Sequence, residues 1–336
     1  MRRPLTITAI VLGLAIVFAA CGGDDDGGPE DGRLSVVSTV SPITSIVENI
    51  GGTRIDLEGI IPEGVNSHTF EPAPSVVAKI EDADLIVLNG LQLEEPTLDL
   101  AEANKGDDAV ILLLGDNTLS EEEYKFDFSF PVSEGRPNPH LWPDPTLVAV
   151  YAQLIHDELV DLDPVNEDYY STNLAAFNER LEVLDRQMLT ATQTVPPDNR
   201  KLLTYHDSWA YWADRYDFTV IGAIQPSDFA EPSASEVASL IDQIESENIP
   251  AVFGSEVFDS DVLETIANES GAEYVDDLRD DDLPGEPGDD EHSYLGLMLH
   301  NMLTMIPALG GDAAPMSLVV TSLVFEDGPS TAVYPQ

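Results

Sequence analysis

The chain has 336 residues and a formal net charge of −49, from 63 acidic and 14 basic side chains. Only Lys79, Lys105, Lys125 and Lys201 are lysines. That excludes nucleic acid as a partner, because almost nothing is present to neutralise phosphates. The charge concentrates cations around the molecule. The acids are spread along the whole chain, however, and an acidic surface suited to high salt explains the excess better, so charge alone establishes no cation-binding function.

In chain order, Arg2 and Arg3 precede an apolar run from Leu5 to Phe18 and the small residues Ala19 and Ala20. The run is short for a bilayer span, and the layout is that of a secretory signal over residues 1–20. Val17 to Cys21 (VFAAC) resembles a bacterial lipobox, with Phe18 where Leu is commoner. Cys21 is the only cysteine, so an internal disulfide is excluded, and a free thiol outside the cell is a liability. Lipidation of Cys21 answers both points. Residues 22–32 (GGDDDGGPEDG) carry no large apolar side chain and read as a flexible acidic tether. The expected location is extracytoplasmic, with the lipid on Cys21 holding the protein to the cell membrane.

The remaining stretch of about 300 residues suits two domains. Arg33 to Val40, Arg54 to Ile61, Ala83 to Asn89 and Ala109 to Gly115 read as strands. Ile43 to Ile50, Ser75 to Ile80, Thr97 to Ala103 and Leu147 to Val160 read as helices. Such alternation predicts a parallel sheet with crossover helices. From Pro164 to about Val195 runs a long helical pattern. Its stripe is Leu174, Phe177, Leu181, Leu184 and Met188, and Pro196-Pro197 stop it. Strands follow at Lys201 to Tyr205, Thr219 to Ile224, Ala251 to Ser255 and Glu273 to Asp276, with helices at Ser233 to Glu247 and Asp261 to Ser270. Ser233 and Glu236 have capping-box spacing. Arg279 to Glu291 is an acidic loop, Tyr294 to Ile306 a helix, and Leu318 to Phe325 an apolar stretch with no evident place. The expected fold is α/β: an N-terminal lobe over 33–163, a connecting helix over 164–196 and a C-terminal lobe over 197–336. Each lobe is a parallel sheet with flanking helices.

Ligands of open parallel sheets bind beyond the carboxyl ends of the strands. Three of the six histidines meet that criterion: His68 after the second strand, His140 after the fourth, and His206 directly off the first strand of the second half. His156 and His300 sit inside helical patterns, and His292 lies in the acidic loop as a solvated residue or an accessory cation contact. Three imidazoles with Asp276, at the end of the last strand, make a tetrahedral set suited to Zn²⁺ in a cleft between lobes. The ligands are scattered and match no local zinc signature.

The ordered segments TVSPI (39–43), IPEG (61–64), SHTFEP (67–72), ADLIVLNG (83–90), NPHLW (138–142), EPSA (231–234) and VDDL (275–278) resemble the solute-binding lipoproteins of zinc and manganese ABC transporters, the group with the TroA-like fold. The likeness runs from about Leu34 to Gly310. It implies His68, His140, His206 and Asp276 (or its neighbour Asp277) as metal ligands and Zn²⁺ as bound cargo. It further implies an ABC permease with its ATPase as partners, and a monomer. Histidine at position 206 marks the zinc type, since manganese-type members tend to have glutamate there, and imidazole suits Zn²⁺ better than Mn²⁺. Two family features are missing: the histidine-rich loop before His140 and a disulfide of the second half.

Three alternatives stay open: a manganese-binding member, a surface adhesin with a metal site, and a zinc hydrolase. Catalytic zinc keeps three protein ligands and an open position, so a fourth ligand argues against an enzyme. Glu256, at another strand end, reads as supporting a ligand by hydrogen bonding rather than as a general base.

Overall fold

The structure is a computed structural model that describes residues 32–225, 232–257 and 261–335. The expected signal, Cys21, nearly all of the tether, and Glu231 of the EPSA segment lie outside the described residues.

The first lobe contains β1 (Leu34–Ser38), α1 (Ser41–Gly51), β2 (Ile55–Gly59), α2 (Pro74–Glu81), β3 (Leu85–Leu88), α3 (Glu95–Asn104) and β4 (Val110–Leu113). Its strands are all parallel, in the order β2-β1-β3-β4. Then come α4 (Pro145–Leu162) and α5 (Glu167–Thr192). The second lobe has β5 (Lys201–Thr204), α6 (Ala210–Tyr216), β6 (Thr219–Ala223), α7 (Ala234–Glu247), β7 (Ala251–Phe253), α8 (Asp261–Ser270) and β8 (Glu273–Val275), followed by α9 (Tyr294–Ala308). The order β6-β5-β7-β8, again parallel, repeats the first sheet. In both sheets the strand order reverses beside the first strand, and there the loops at the carboxyl ends part to leave a crevice.

The 26 residues of α5 make a rod about 39 Å long. Its predicted stripe, Leu174, Phe177, Leu181, Leu184 and Met188, is buried throughout. One continuous hydrophobic core passes from Val36 and Ile86 of the first sheet, through Phe177 and Leu184 of α5 and Met302 and Ile306 of α9, to Leu202 and Phe253 of the second sheet. The alternate residues Leu203 and Val252 point the other way, into a smaller cluster with Ile244 of α7 and Leu263 and Ile266 of α8. The predicted capping box opens α7: Ser233 N–H donates to Glu236 Oε2 at 2.7 Å, and Glu236 N–H to Ser233 Oγ at 3.4 Å.

Two features differ from the sequence reading. Helix α6 was not anticipated: it buries Tyr211, Trp212, Ala213 and Tyr216 out of seven residues, so it shows no polar–apolar period. The chain after α9, expected to belong to the second lobe, crosses to the first. Val333 pairs with Glu58 on the open edge of β2, donating to Leu57 O and accepting from Gly59 N–H, each at 2.9 Å.

Candidate metal centre

His68 lies in the loop after β2, where Gly64 (φ 76°) turns the chain in the left-handed region. His140 follows the long excursion after β4, and His206 comes two residues beyond β5. The first two share a local device. In Asn66-Ser67-His68 and Asn138-Pro139-His140, the asparagine Oδ1 accepts the histidine N–H, at 2.9 and 3.0 Å. Such Asx turns fix the backbone at the histidine without a helix or strand.

The three side chains converge although they come from positions up to 138 residues apart. His68 Nε2 is 3.2 Å from His140 Nε2 and 3.1 Å from His206 Nε2, with the rings nearly edge to face. Two nitrogens held about 2.0–2.1 Å from one ion at a tetrahedral angle lie about 3.3 Å apart. The observed spacing therefore matches a shared cation and leaves no room for a proton on every nitrogen.

In His140 and His206 the opposite ring nitrogens are engaged as metal-ligating imidazoles require. His140 Nδ1–H donates to Asn138 Oδ1 at 2.8 Å, which leaves its Nε2 lone pair facing the centre. Asn138 is itself held by donating to Asp207 O at 2.6 Å and Asp127 Oδ2 at 3.0 Å. His206 Nδ1 is 2.7 Å from Asp280 Oδ2, both side chains being almost fully buried. Phe130 and Trp142 wall the site, with ring centroids 5.5 Å from His68 and 5.0 Å from His140 respectively. A cavity of about 640 Å³ opens onto His68 and is rimmed by Glu71, Glu95, Asp99 and Arg136.

The electrostatics differ between lobes. Burial, with His206 nearby, lowers the pKa of His68 and His140 well below the ordinary imidazole value, so both are neutral. Burial acts the same way on His206, but Asp280 beside it outweighs burial, and its pKa is raised to about 9.

Asp276 is not brought to this group. Its side chain is exposed just past β8, and no carboxylate among the described residues joins the three histidines with ligand atoms within 4.8 Å of one another. Asp277 pairs instead with Arg279 at 2.9 Å and His300 at 3.1 Å. The carboxylates that act on His206 come a few residues later, from the loop read as merely acidic. Asp280 holds His206. Asp281 is buried, accepts from Ser67 Oγ at 2.6 Å through Oδ2, and has no hydrogen-bond partner on Oδ1 among the described residues. Burial, reinforced by Asp280, raises its pKa to about 6.

Glu256 fastens that loop. Its Oε1 accepts the consecutive N–H groups of Asp280, Asp281 and Asp282 at 2.9, 3.0 and 3.1 Å. The other histidines stand apart: His156 contacts Asp157 and Ser171, each at 2.9 Å, and His292 is buried against the Tyr334 ring. Sequence reasoning missed Asn138, Ser67, Asp280 and Asp281. The repeated Asn-x-His spacing was a readable signal for the first; nothing local separates Asp280 or Asp281 from the six other acids between Asp276 and Asp290.

The family model for the periplasmic component A of the zinc-uptake complex (ZnuA) matches residues 36–308. The chain belongs to this family. Its members are solute-binding proteins of ABC importers and catalyse no reaction. Among curated relatives, the manganese-binding lipoprotein MntA of Halalkalibacterium halodurans is 29% identical over 308 residues, covering 91% of this chain and 99% of MntA. The manganese ABC transporter substrate-binding lipoprotein PsaA of Streptococcus pneumoniae is 26% identical, covering 90% and 97% of the two chains. The periplasmic zinc-binding protein TroA of Treponema pallidum superposes with a TM-score of 0.75 at 26% identity, over 83% of this chain and 99% of TroA. A crystal structure of ZnuA gives 0.70 at 28% identity, over 83% and 99%. The two lobes and long connecting helix expected from the sequence are thus those of the family.

Proposed function

We propose that the protein captures Zn²⁺ outside the membrane and delivers it to an ABC permease powered by its ATPase. The observation that carries this reading is the set of three imidazole Nε2 atoms 3.1–3.2 Å apart, in a crevice opening to a cavity with an acidic rim. His68, His140 and His206 are the proposed ligands, and Asp281, whose buried Oδ1 has no hydrogen-bond partner among the described residues, is the proposed fourth in place of Asp276. A single carboxylate among imidazoles suits Zn²⁺, whereas a harder oxygen-rich set suits Mn²⁺. Asn138, Asp280 and Glu256 hold these ligands in position. Anchoring through a lipidated Cys21, action as a monomer and the lobe boundaries at 163 and 196 are parts of the same proposal.

The second reading is a manganese importer of the same family, favoured by the names of the curated relatives. Titration of metal-free protein with Zn²⁺ and Mn²⁺ decides between them. The expected result is a preference for Zn²⁺, lost sharply in His206→Ala and moved towards Mn²⁺ in His206→Glu. Equal affinity of wild type and His206→Ala would sink the ligand set, and a wild-type preference for Mn²⁺ would establish the second reading.

A further inference from the structure

The last seventeen described residues, 319–335, lie beyond the segment matched by the family model. They leave the second lobe and run across the first. Thr321 O accepts from Ser293 Oγ at 2.7 Å, and Val324 N–H donates to Asn49 Oδ1 at 3.3 Å. Asp327 accepts from Thr53 Oγ1 and Tyr169 OH, each at 2.9 Å, and lies 3.0 Å from Arg54. The segment then adds Val333 to the edge of β2. Its end engages Glu48 of α1, a carboxylate only 4% exposed, which accepts from Tyr334 OH at 2.6 Å and from Ser330 Oγ. A buried carboxylate is costly unless donors satisfy it, so Glu48 favours the docked tail.

The tail also touches the loop that carries His68. Glu63 N–H donates to Pro335 O at 3.2 Å, while Glu63 Oε1 accepts Leu283 N–H at 3.2 Å. Next in line, Gly64 N–H donates to Asp282 Oδ2 at 2.7 Å and Ser67 Oγ to Asp281 Oδ2 at 2.6 Å. Tyr334 packs edge-on against the buried His292 ring, with centroids 4.6 Å apart. The His68 loop is therefore pinned on one side by the Asp281–Leu283 turn and at its root by the tail.

We propose that residues 329–335 are a lock on the His68 loop that sets how fast the bound cation leaves. The lock acts by raising the free energy of the local opening that must precede release. The proposal rests on the metal-binding reading above, and the test separates the two.

The test uses the full chain carrying Val333→Pro, which removes the N–H bonded to Leu57 O, together with Tyr334→Phe, which removes the donor to Glu48. Zn²⁺ release into excess chelator is followed by stopped flow, and amide hydrogen exchange at residues 63–69 is followed without metal. The expected result is release about tenfold faster, the scale of losing a hydrogen bond to a charged group. Association stays unchanged, the visible spectrum of bound Co²⁺ is unaltered, and exchange at 63–69 is faster. Ser233→Ala, which weakens the distant start of α7, should leave release at the wild-type rate. Wild-type release and exchange in the double variant would overturn the lock, as would equal acceleration by Ser233→Ala. A wild-type chain that binds no Zn²⁺ or Co²⁺ overturns the reading beneath it, even where exchange at 63–69 responds.

Discussion

The two lobes share a strand order but meet the site as unlike halves. In the first, α1 is buried along all eleven residues, and its loops present two neutral imidazoles set by Asx turns. In the second, α7 buries only Ile244, and the site side presents a charged imidazole against carboxylates whose loop hangs on Glu256. The difference teaches a division of labour. The first lobe, with α5 and α9, is the more deeply buried platform and brings the two neutral imidazoles. The second supplies the charge that answers a cation, from a thinner and more exposed layer.

Four experiments would break or sharpen that contrast, in decreasing order of expected effect. Phe177→Ala, in the core shared by both lobes, should cost about 3–5 kcal/mol in chemical denaturation. A loss confined to one lobe would show that the core is not a single unit. His206→Ala should lower Zn²⁺ affinity by more than the roughly 100-fold upper range for supporting residues, and Asp276→Asn should leave it unchanged. Loss of binding in Asp276→Asn would restore the original fourth ligand.

Asp280→Asn should cost about 10–100-fold in affinity as an outer partner of a ligand. It should also change the pH response. In the free wild type His206 is protonated below about 9, so Zn²⁺ must displace that proton. Between pH 6 and 8 affinity should fall by about tenfold for each unit of acidification from this group alone. The asparagine variant, with a lower His206 pKa, should have a flatter profile there. A profile unchanged from wild type would mean that Asp280 does not control the proton. The smallest measurable loss is expected from Ser233→Ala, about 1 kcal/mol of stability through the cap of α7, with Zn²⁺ affinity untouched.

The alternation of apolar runs was enough to read the eight strands of the described residues and the long helix, because the strands are short apolar runs between turn signals and α5 buries one stripe. The three histidines were legible for a related reason: each follows a strand, and a parallel sheet sends all such positions to one edge. The carboxylates were not. Asp276, Asp277, Asp280, Asp281 and Asp282 look alike in sequence, and the choice among them depends on where the chain turns after β8. That turn is set by three N–H groups converging on Glu256, a contact 24 to 26 residues away. The short helix α6 escaped for want of a polar face, and the tail for want of any local signal.

By itself, the sequence determined the α/β alternation, the acidic surface and the three imidazoles aimed at a common edge, because these follow from periodicity and strand direction. The packing of the folded chain is what set Asp280 rather than Asp276 against His206, and carried the last described residues across to the first lobe. Both depend on long-range hydrogen bonds to carboxylates, the half-buried Glu256 and the buried Glu48, whose partners exist only once the loops have packed.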